Sequence, residues 1–503
     1  MIILINRLKN SSSGWDSIPV KVIKASYPYI IGILTHAFNL SITSGVFPNE
    51  LKIAQVIPIF KGGDKSIIAN YRPVSVLPIF SKLLERIMYN RLISFISKHN
   101  LLYKYQFGFQ KGRSTMMALS ILIDKISSYI QQGDYVLGVF LDFSKAFDTV
   151  NHQILLSKLQ TYGIRGVAHN WLLNYLSNRS QYVKYDGIKS DYNCISCGVP
   201  QGSILGPLLF LLYINDIVDV SNILFPILFA DDTSVFINGK DVDSMISTMN
   251  QELRDVSAWL DANKLSLNVK KTHYMVFRSK RKKNPSIQSN LIIKDETVSQ
   301  VDHVKFLGVL LDRKLSWSFH TCYVRKKISK SIGVISKCAR LVTKNTLLTL
   351  YHSFVYPYIT YCLEIWGSTY DCHLTPLITL QKRIVRIISK VPRLSHTKNL
   401  YISLNILPLS KLYEYLVCIF MYKFHKGLLP DIFDEIFTPN KYIHTHFTRQ
   451  SELLHVPINK SILVNQSLRY KGVEIWNKIK PVLPEESTYT KFKSVLYEYL
   501  AIQ

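Results

Sequence analysis

The chain has 503 residues, 48% hydrophobic and 12% aromatic, which is enough apolar matter for several packed cores and excludes a disordered protein. Lysine and arginine number 61 against 34 aspartates and glutamates, so a net charge of +27 is spread along the whole length and suits a polyanionic partner, with anionic membrane as the weaker alternative. Seven irregularly spaced cysteines give no disulfide framework and point to a reducing, intracellular compartment.

Taken in chain order, Pro19–Leu40 predicts a helix after the loop Asn10–Trp15. Gln55–Phe60 is β-like, Lys61–Lys65 is a turn, and Val74–Leu77 is a return strand. Phe80, Leu83, Leu84, Ile87, Met88 and Phe95 mark one face of a helix. Ser114 is placed to cap a helix over Thr115–Gln132 that Gly133 would stop. Tyr135–Leu141 reads as a strand and His152–Leu159 as a helix; Trp171–Leu176 has helical period. Tyr182–Tyr185 and Tyr192–Ser196 look like a hairpin, and Ile204–Tyr213 is a buried helix. Val242–Leu260 is a long helical pattern, followed by strands at Tyr274–Phe277 and Val304–Leu310. Beyond about residue 320 the pattern turns helical, with Ile328, Ile332, Ile335 and Ala339 as a stripe and Lys326, Lys327, Lys330, Lys337 and Arg340 on other faces. A second basic helix is expected over Gln381–Lys390. The order of strands and helices is α+β.

Some segments invite readings that the residues do not support. Met1–Ile5 is too short for a signal sequence. Ile204–Ile217 is broken by Gly206, Pro207, Asn215 and Asp216 and falls short of a membrane span, so no membrane partner is expected. Cys194 and Cys197 are expected as small, partly buried strand residues rather than half of a zinc site. Arg278–Lys283 is expected as an exposed basic loop.

The chemistry concentrates at Phe229-Ala230-Asp231-Asp232, two adjacent carboxylates at a turn between the apolar runs Ile223–Phe229 and Ser234–Ile237. Such neighbours repel, and divalent cations are the usual compensation. Asp142, at the end of Tyr135–Leu141, supplies a matching carboxylate. Three acids on strand tips are what two-metal phosphoryl transfer needs, where the cations activate a 3′-hydroxyl and stabilise the leaving pyrophosphate.

The surrounding strings resemble the reverse transcriptase of non-LTR, LINE-type retrotransposons, especially the jockey-like group. The likeness runs through Phe47–Lys65, Ala69-Asn70-Tyr71-Arg72-Pro73-Val74-Ser75, Gln106-Phe107-Gly108-Phe109 with Arg113-Ser114-Thr115, and Leu141-Asp142-Phe143-Ser144-Lys145-Ala146-Phe147-Asp148. It continues through Gly198-Val199-Pro200-Gln201-Gly202-Ser203, Phe229–Asp232, Asn268-Val269-Lys270-Lys271-Thr272 and Phe306-Leu307-Gly308, in the family's order, over roughly residues 14–390. Ser13-Gly14-Trp15-Asp16 departs from the family's Pro-Gly-x-Asp leader.

The resemblance implies a right-hand polymerase fold: a leader over 1–50, fingers and palm (an antiparallel sheet) over 51–310, a basic helical thumb over 311–390, and a mostly helical C-terminal region over 391–503. It implies that Asp142 and Asp231 ligate Mg²⁺, with Mn²⁺ as the alternative ion, and that Asp232 assists. Lys271 would donate a proton to pyrophosphate. Lys61 and Arg72 would meet the triphosphate, and Phe147 would exclude a 2′-hydroxyl. Gln201 and Gly202 would approach the nascent base pair. Gln106, Phe107, Gly108, Phe109 and Arg113 would touch the template, and Phe306, Leu307 and Gly308 would support the primer end. Asp148 is assigned to helix initiation. The implied partners are an RNA template, a DNA primer or target DNA and deoxynucleoside triphosphates; about fifty residues precede the polymerase motifs where the family carries an endonuclease, so the alternatives are a fragment, a truncated element copy, or a separately translated product served by a separate endonuclease. The implied locations are a cytoplasmic ribonucleoprotein and the nucleus. The rival reading is a catalytically defective remnant that only binds RNA.

Overall fold

The computed structural model describes residues 1–443, 453–457, 462–483 and 488–503. A short helix α1 (Ile2–Asn6) leans on the long helix α2 (Val20–Ser44), which starts after Pro19 and stops at Gly45. Strands β1 (Ile53–Phe60) and β2 (Tyr71–Val76) then form an antiparallel hairpin whose tip, residues 61–69, is exposed throughout.

Helix α3 (Ile79–Lys98) buries Leu83, Leu84, Met88, Leu92 and Ile96. Helix α4 (Thr115–Gln131) begins where its sequence says it should: Ser114 Oγ accepts the Met117 amide at 3.3 Å, satisfying one of the unpaired N–H groups of the first turn. Strand β3 (Tyr135–Leu141) runs to the site, followed by α5 (His152–Thr161) and α6 (Gly166–Leu176). Strands β4 (Arg179–Tyr185), β5 (Ile188–Lys189) and β6 (Asn193–Ile195) come next. The expected hairpin is present, because β6 pairs with β4, but β4 also pairs in parallel with β1, making one sheet in the order β2-β1-β4-β5. No local signal announces a pairing between Ile53–Val56 and Ser180–Val183.

Helix α7 (Leu205–Ile214) is buried on almost all sides. Strands β7 (Phe225–Phe229) and β8 (Asp232–Gly239), helix α8 (Val242–Ala262) and strand β9 (His273–Phe277) complete the central unit. The second sheet has the order (Ser299–Gln300)-β9-β3-β8-β7. Its two faces feed two cores, as strand alternation requires. Val136 and Phe140 of β3 join Phe236, Met275 and Phe277 against α4, while Leu137, Val139 and Leu141 face Leu205, Phe210, Ile246 and their neighbours on the other side.

The expected strand Val304–Leu310 is instead a hairpin, His303–Phe306 paired with Val309–Asp312. Leu307 and Gly308 both take positive φ, at 45° and 83°, which turns the chain in the middle of an apolar run. Helices α9 (Ser318–Cys338), α10 (Lys344–Phe354), α11 (Tyr356–Thr360), α12 (Leu363–Trp366) and α13 (Asp371–Ser389) follow. Ile328, Ile332 and Ile335 are buried as the stripe implies, and Lys326, Lys330 and Lys337 are exposed. Helices α14 (Lys398–Ser403) and α15 (Leu409–His425) lead into further short helices ending with Tyr489–Ile502. These C-terminal helices share one core with α4 and the hairpin 303–312. Asp124 on α4 receives the guanidinium of Arg469 in two hydrogen bonds of 2.7 Å each. Among the described residues no helix is long and apolar enough to cross a membrane.

Two local expectations are corrected. Cys194 and Cys197 are both exposed, because β6 lies at the edge of the first sheet. In the basic loop, Arg278 is buried rather than exposed, since its guanidinium is wrapped by the Ser279 and Lys282 carbonyls and the Asn284 side chain.

Candidate active site

The register of the second sheet brings the three acids together. Leu141 of β3 pairs with Thr233 of β8, so the next residue outward on each strand is Asp142 on one and Asp232 on the other. Phe229 pairs with Asp232, leaving Ala230 and Asp231 as a two-residue turn in which Ala230 carries a positive φ of 59°. Asp142 is fixed from behind by the segment containing Lys271: its amide donates to Thr272 Oγ1 at 3.3 Å and its carbonyl accepts from the Asn268 amide at 2.8 Å.

The carboxylates sense one another. Burial pushes the Asp232 carboxyl up to about 6, and the charges of Asp231 and Asp142 add to the rise. Asp231 is also raised, first by burial and further by Asp142, with the Arg72 guanidinium pulling in the opposite direction. Both residues are exposed, while protein packed around their carboxyls displaces part of the water. Among the described residues no group of three or more His, Cys, Asp or Glu side chains is arranged to hold a metal ion, the three acids at these strand ends included. An open pair of hard oxygen donors still fits a cation of the Mg²⁺ type, which usually takes one or two carboxylates and completes its shell with water and substrate phosphate.

The other predicted residues lie on separate elements. Arg72 is exposed on β2, and Lys61 stands exposed at the hairpin tip, its amide bonded to the Asn70 carbonyl at 2.8 Å. Phe147 is half-buried, stacked on Phe210 with centroids 4.3 Å apart and edge-on to Phe109 at 6.0 Å. Its carbonyl accepts the Val199 amide at 2.9 Å, joining it to the 198–203 loop. Within that loop the Gln201 carbonyl accepts the Ser75 amide at 2.8 Å, and Gly202 is exposed beside it. Lys271 is exposed on the turn Val269–Lys271. Phe306 and Leu307 are buried, and Leu307 offers its carbonyl to the Tyr361 hydroxyl at 2.7 Å.

The segment 106–113 divides into an inner and an outer part. Gln106 and Phe107 are each 1% exposed and lie beneath the Ala230–Asp231 turn, whereas Phe109 is 53% exposed. Gly108 backs directly onto Ala230, where a Cβ would collide with the Ala230 amide nitrogen. Arg113 turns back onto the carbonyls of Lys104 and Gln106.

Sequence reasoning missed one acid and gave another the wrong role. Glu85 is fully buried and accepts the Ile204 and Leu205 amides at 2.7 and 3.1 Å, so it caps α7 and anchors the end of the 198–203 loop. Burial raises its carboxyl. The signal was present, since Ser81, Glu85, Met88 and Leu92 share one helical face. Asp148 is the second. It does not start α5, because the cap is Asn151, whose side chain accepts the Ile154 amide at 3.1 Å. Asp148 instead accepts from Gln201 Nε2 at 2.8 Å.

The acids thus stand at the ends of neighbouring strands of one sheet. The family described as reverse transcriptase (RNA-dependent DNA polymerase) matches residues 60–311, half of the chain, and the chain belongs to it. It is 30% identical over 396 residues to the probable RNA-directed DNA polymerase from transposon X-element of Drosophila melanogaster. It is 28% identical over 399 residues to the RNA-directed DNA polymerase from mobile element jockey of the same fly. Each alignment covers 77% of this chain and 43% of the relative, so the chain spans less than half the length of either. Telomerase from Candida albicans, solved with a TWJ fragment of telomeric RNA, is a distant likeness at TM-score 0.38 and 11% identity, over 71% of this chain and 63% of that one.

Proposed function

We propose that this chain extends a DNA 3′-end with deoxynucleotides on an RNA template, as the polymerase of a jockey-like non-LTR retrotransposon. The observation that carries the reading is the convergence of Asp142 with Asp231 and Asp232 on adjacent strand ends. In this reading the first sheet with its β1–β2 hairpin is the fingers, the second sheet the palm, and helices α9–α13 the thumb.

Asp142 and Asp231 would hold two Mg²⁺ or Mn²⁺ ions, with Asp232 assisting; when bound, such ions polarise the attacking hydroxyl and neutralise the departing pyrophosphate. Arg72 and Lys61 orient the triphosphate by charge, Arg72 being close enough for Asp231 to feel its field. In this reading the Phe147 ring, braced by Phe210, would exclude a 2′-hydroxyl. Lys271, on the turn that backs Asp142, would protonate pyrophosphate in this reading. Phe109 offers an exposed ring for a template base, with Arg113 near it, and the turn at Leu307–Gly308 supports the primer end. Lys326, Lys330 and Lys337 on α9 and Lys382 and Arg383 on α13 are exposed and suited to backbone phosphates, which position a duplex without reading its sequence.

The test is primer extension on an RNA template by the whole chain. The wild type should extend, and Asp231→Asn should abolish extension while RNA affinity stays nearly intact and falls steeply with added salt. A well-folded wild type that binds RNA but extends no primer in Mg²⁺ or Mn²⁺ would establish the RNA-binding remnant instead.

A further inference from the structure

The 198–203 loop is held by its backbone at several independent points. The Gly198 amide donates to the Val150 carbonyl at 2.7 Å, the Val199 amide to Phe147 at 2.9 Å, and the Gln201 carbonyl accepts from Ser75 at 2.8 Å. His152 Nε2 lies 2.7 Å from the Gly198 carbonyl, and Glu85 holds the Ile204 and Leu205 amides. The Asp148 side chain therefore has no share in fixing the loop backbone, and Asn151 already starts the neighbouring helix.

What the Asp148 carboxylate does hold is one side chain. Its Oδ1 accepts from Gln201 Nε2 at 2.8 Å. A carboxylate accepts and does not donate, so only the NH₂ end of the carboxamide can face it. The other end, Oε1, is turned away and has no protein donor among the described residues. Gln201 is half-exposed, and its side chain reaches Asp148, the residue that follows Phe147 in the chain.

We propose that Asp148 is a positioning residue that locks the Gln201 carboxamide in one orientation, so that the site presents a hydrogen-bond acceptor, Oε1, to a hydroxyl or N–H donor of the incoming nucleotide. This rests on the polymerase reading above. Without Asp148 the amide can rotate and offer NH₂ instead, which weakens nucleotide binding and leaves the carboxylates at the strand ends untouched.

A double-mutant cycle on the whole chain, with steady-state primer extension, tests this. Asp148→Ala should raise KM for deoxynucleotides about ten-fold with little change in kcat, the size expected for losing one charge-assisted hydrogen bond. Asp148→Asn, whose carbonyl can still accept, should recover most of the loss and serves if the alanine variant folds poorly. In a Gln201→Ala background, Asp148→Ala should cost nothing more. Additive effects, or an Asp148→Ala enzyme with wild-type KM, would overturn the positioning role while leaving the polymerase standing. Absence of extension by the folded wild type would overturn both.

Discussion

The Gln106 carboxamide oxygen accepts the amide of Ala230 at 3.0 Å and that of Gly108 at 2.8 Å. One buried acceptor thus ties the segment ending in exposed Phe109 to the turn that carries Asp231. The same segment adds a backbone clasp, since the Phe107 amide donates to the Leu228 carbonyl at 2.8 Å. Gln106→Leu removes the acceptor and leaves two N–H groups unpaired, and a buried unpaired group costs about 1–3 kcal/mol. Lower thermal stability is expected, together with a fall in kcat and a weaker apparent Mg²⁺ affinity by titration. An unchanged Mg²⁺ midpoint would show that the tie is structural only. Gly108→Ala should be worse, because its methyl meets backbone rather than a side chain that can move aside.

The raised Asp232 carboxyl sets a pH dependence. A carboxyl with a higher pKa folded than unfolded stabilises the fold while protonated, and that contribution fades as pH rises from about 4 through about 6. Metal-free protein should accordingly lose part of its stability over that window, and Asp232→Asn should flatten the loss and raise Tm at pH 7. Mg²⁺ should raise the wild-type Tm at pH 7 more than that of the variant, and extension should decline as pH falls through about 6, because protons and cations compete for the same oxygens. Thermal melts across pH, with chelator or Mg²⁺, check both; identical slopes for wild type and variant would refute the assignment.

Phe147→Ala should admit ribonucleotides, measured as the ratio of kcat/KM for a ribonucleotide to that for its deoxy form. The variant opens space between Phe109 and Phe210, whose rings flank Phe147, so a modest loss of stability should accompany the change. Unaltered sugar selectivity in a folded variant would remove the gate from Phe147.

The Asp124–Arg469 pair joins α4 to the C-terminal region through two parallel hydrogen bonds in a partly buried setting. Asp124→Ala should lower unfolding free energy by about 1–2 kcal/mol, more than a surface pair would cost. Removal of residues 391–503 should do far more, because Val417, Cys418, Phe433, Trp476 and Leu496 belong to the core that also contains α4. Denaturant melts and the solubility of the shortened chain measure these effects; a soluble, cooperatively folding product of 1–390 would contradict them.

The parts legible in the sequence were those with a local cause. Apolar runs on either side of a turn located β7 and β8, the cap at Ser114 located α4, and an apolar run ending in Asp142 located β3. The parts that were not legible depend on distant partners. Leu307 has nothing in its own chemistry to announce a positive φ, yet the packing of the 303–312 hairpin imposes one. Gln106 sits among residues that resemble a template contact, and only the arrival of Ala230 turns its side chain inward. Asp148 looked like a helix starter because an acid before a helix usually is one, and Asn151 three residues later took that role.

Helix α4 has strands of the second sheet on one side and the C-terminal helices on the other, within one continuous core. Swinging the α9–α13 bundle as a lever would tear apolar side chains out of that shared interior. The β1–β2 tip, exposed from residue 61 to 69, carries no such tether. Adjustment to a bound nucleotide would therefore fall to a light flap bearing Lys61, working against a body that stays still.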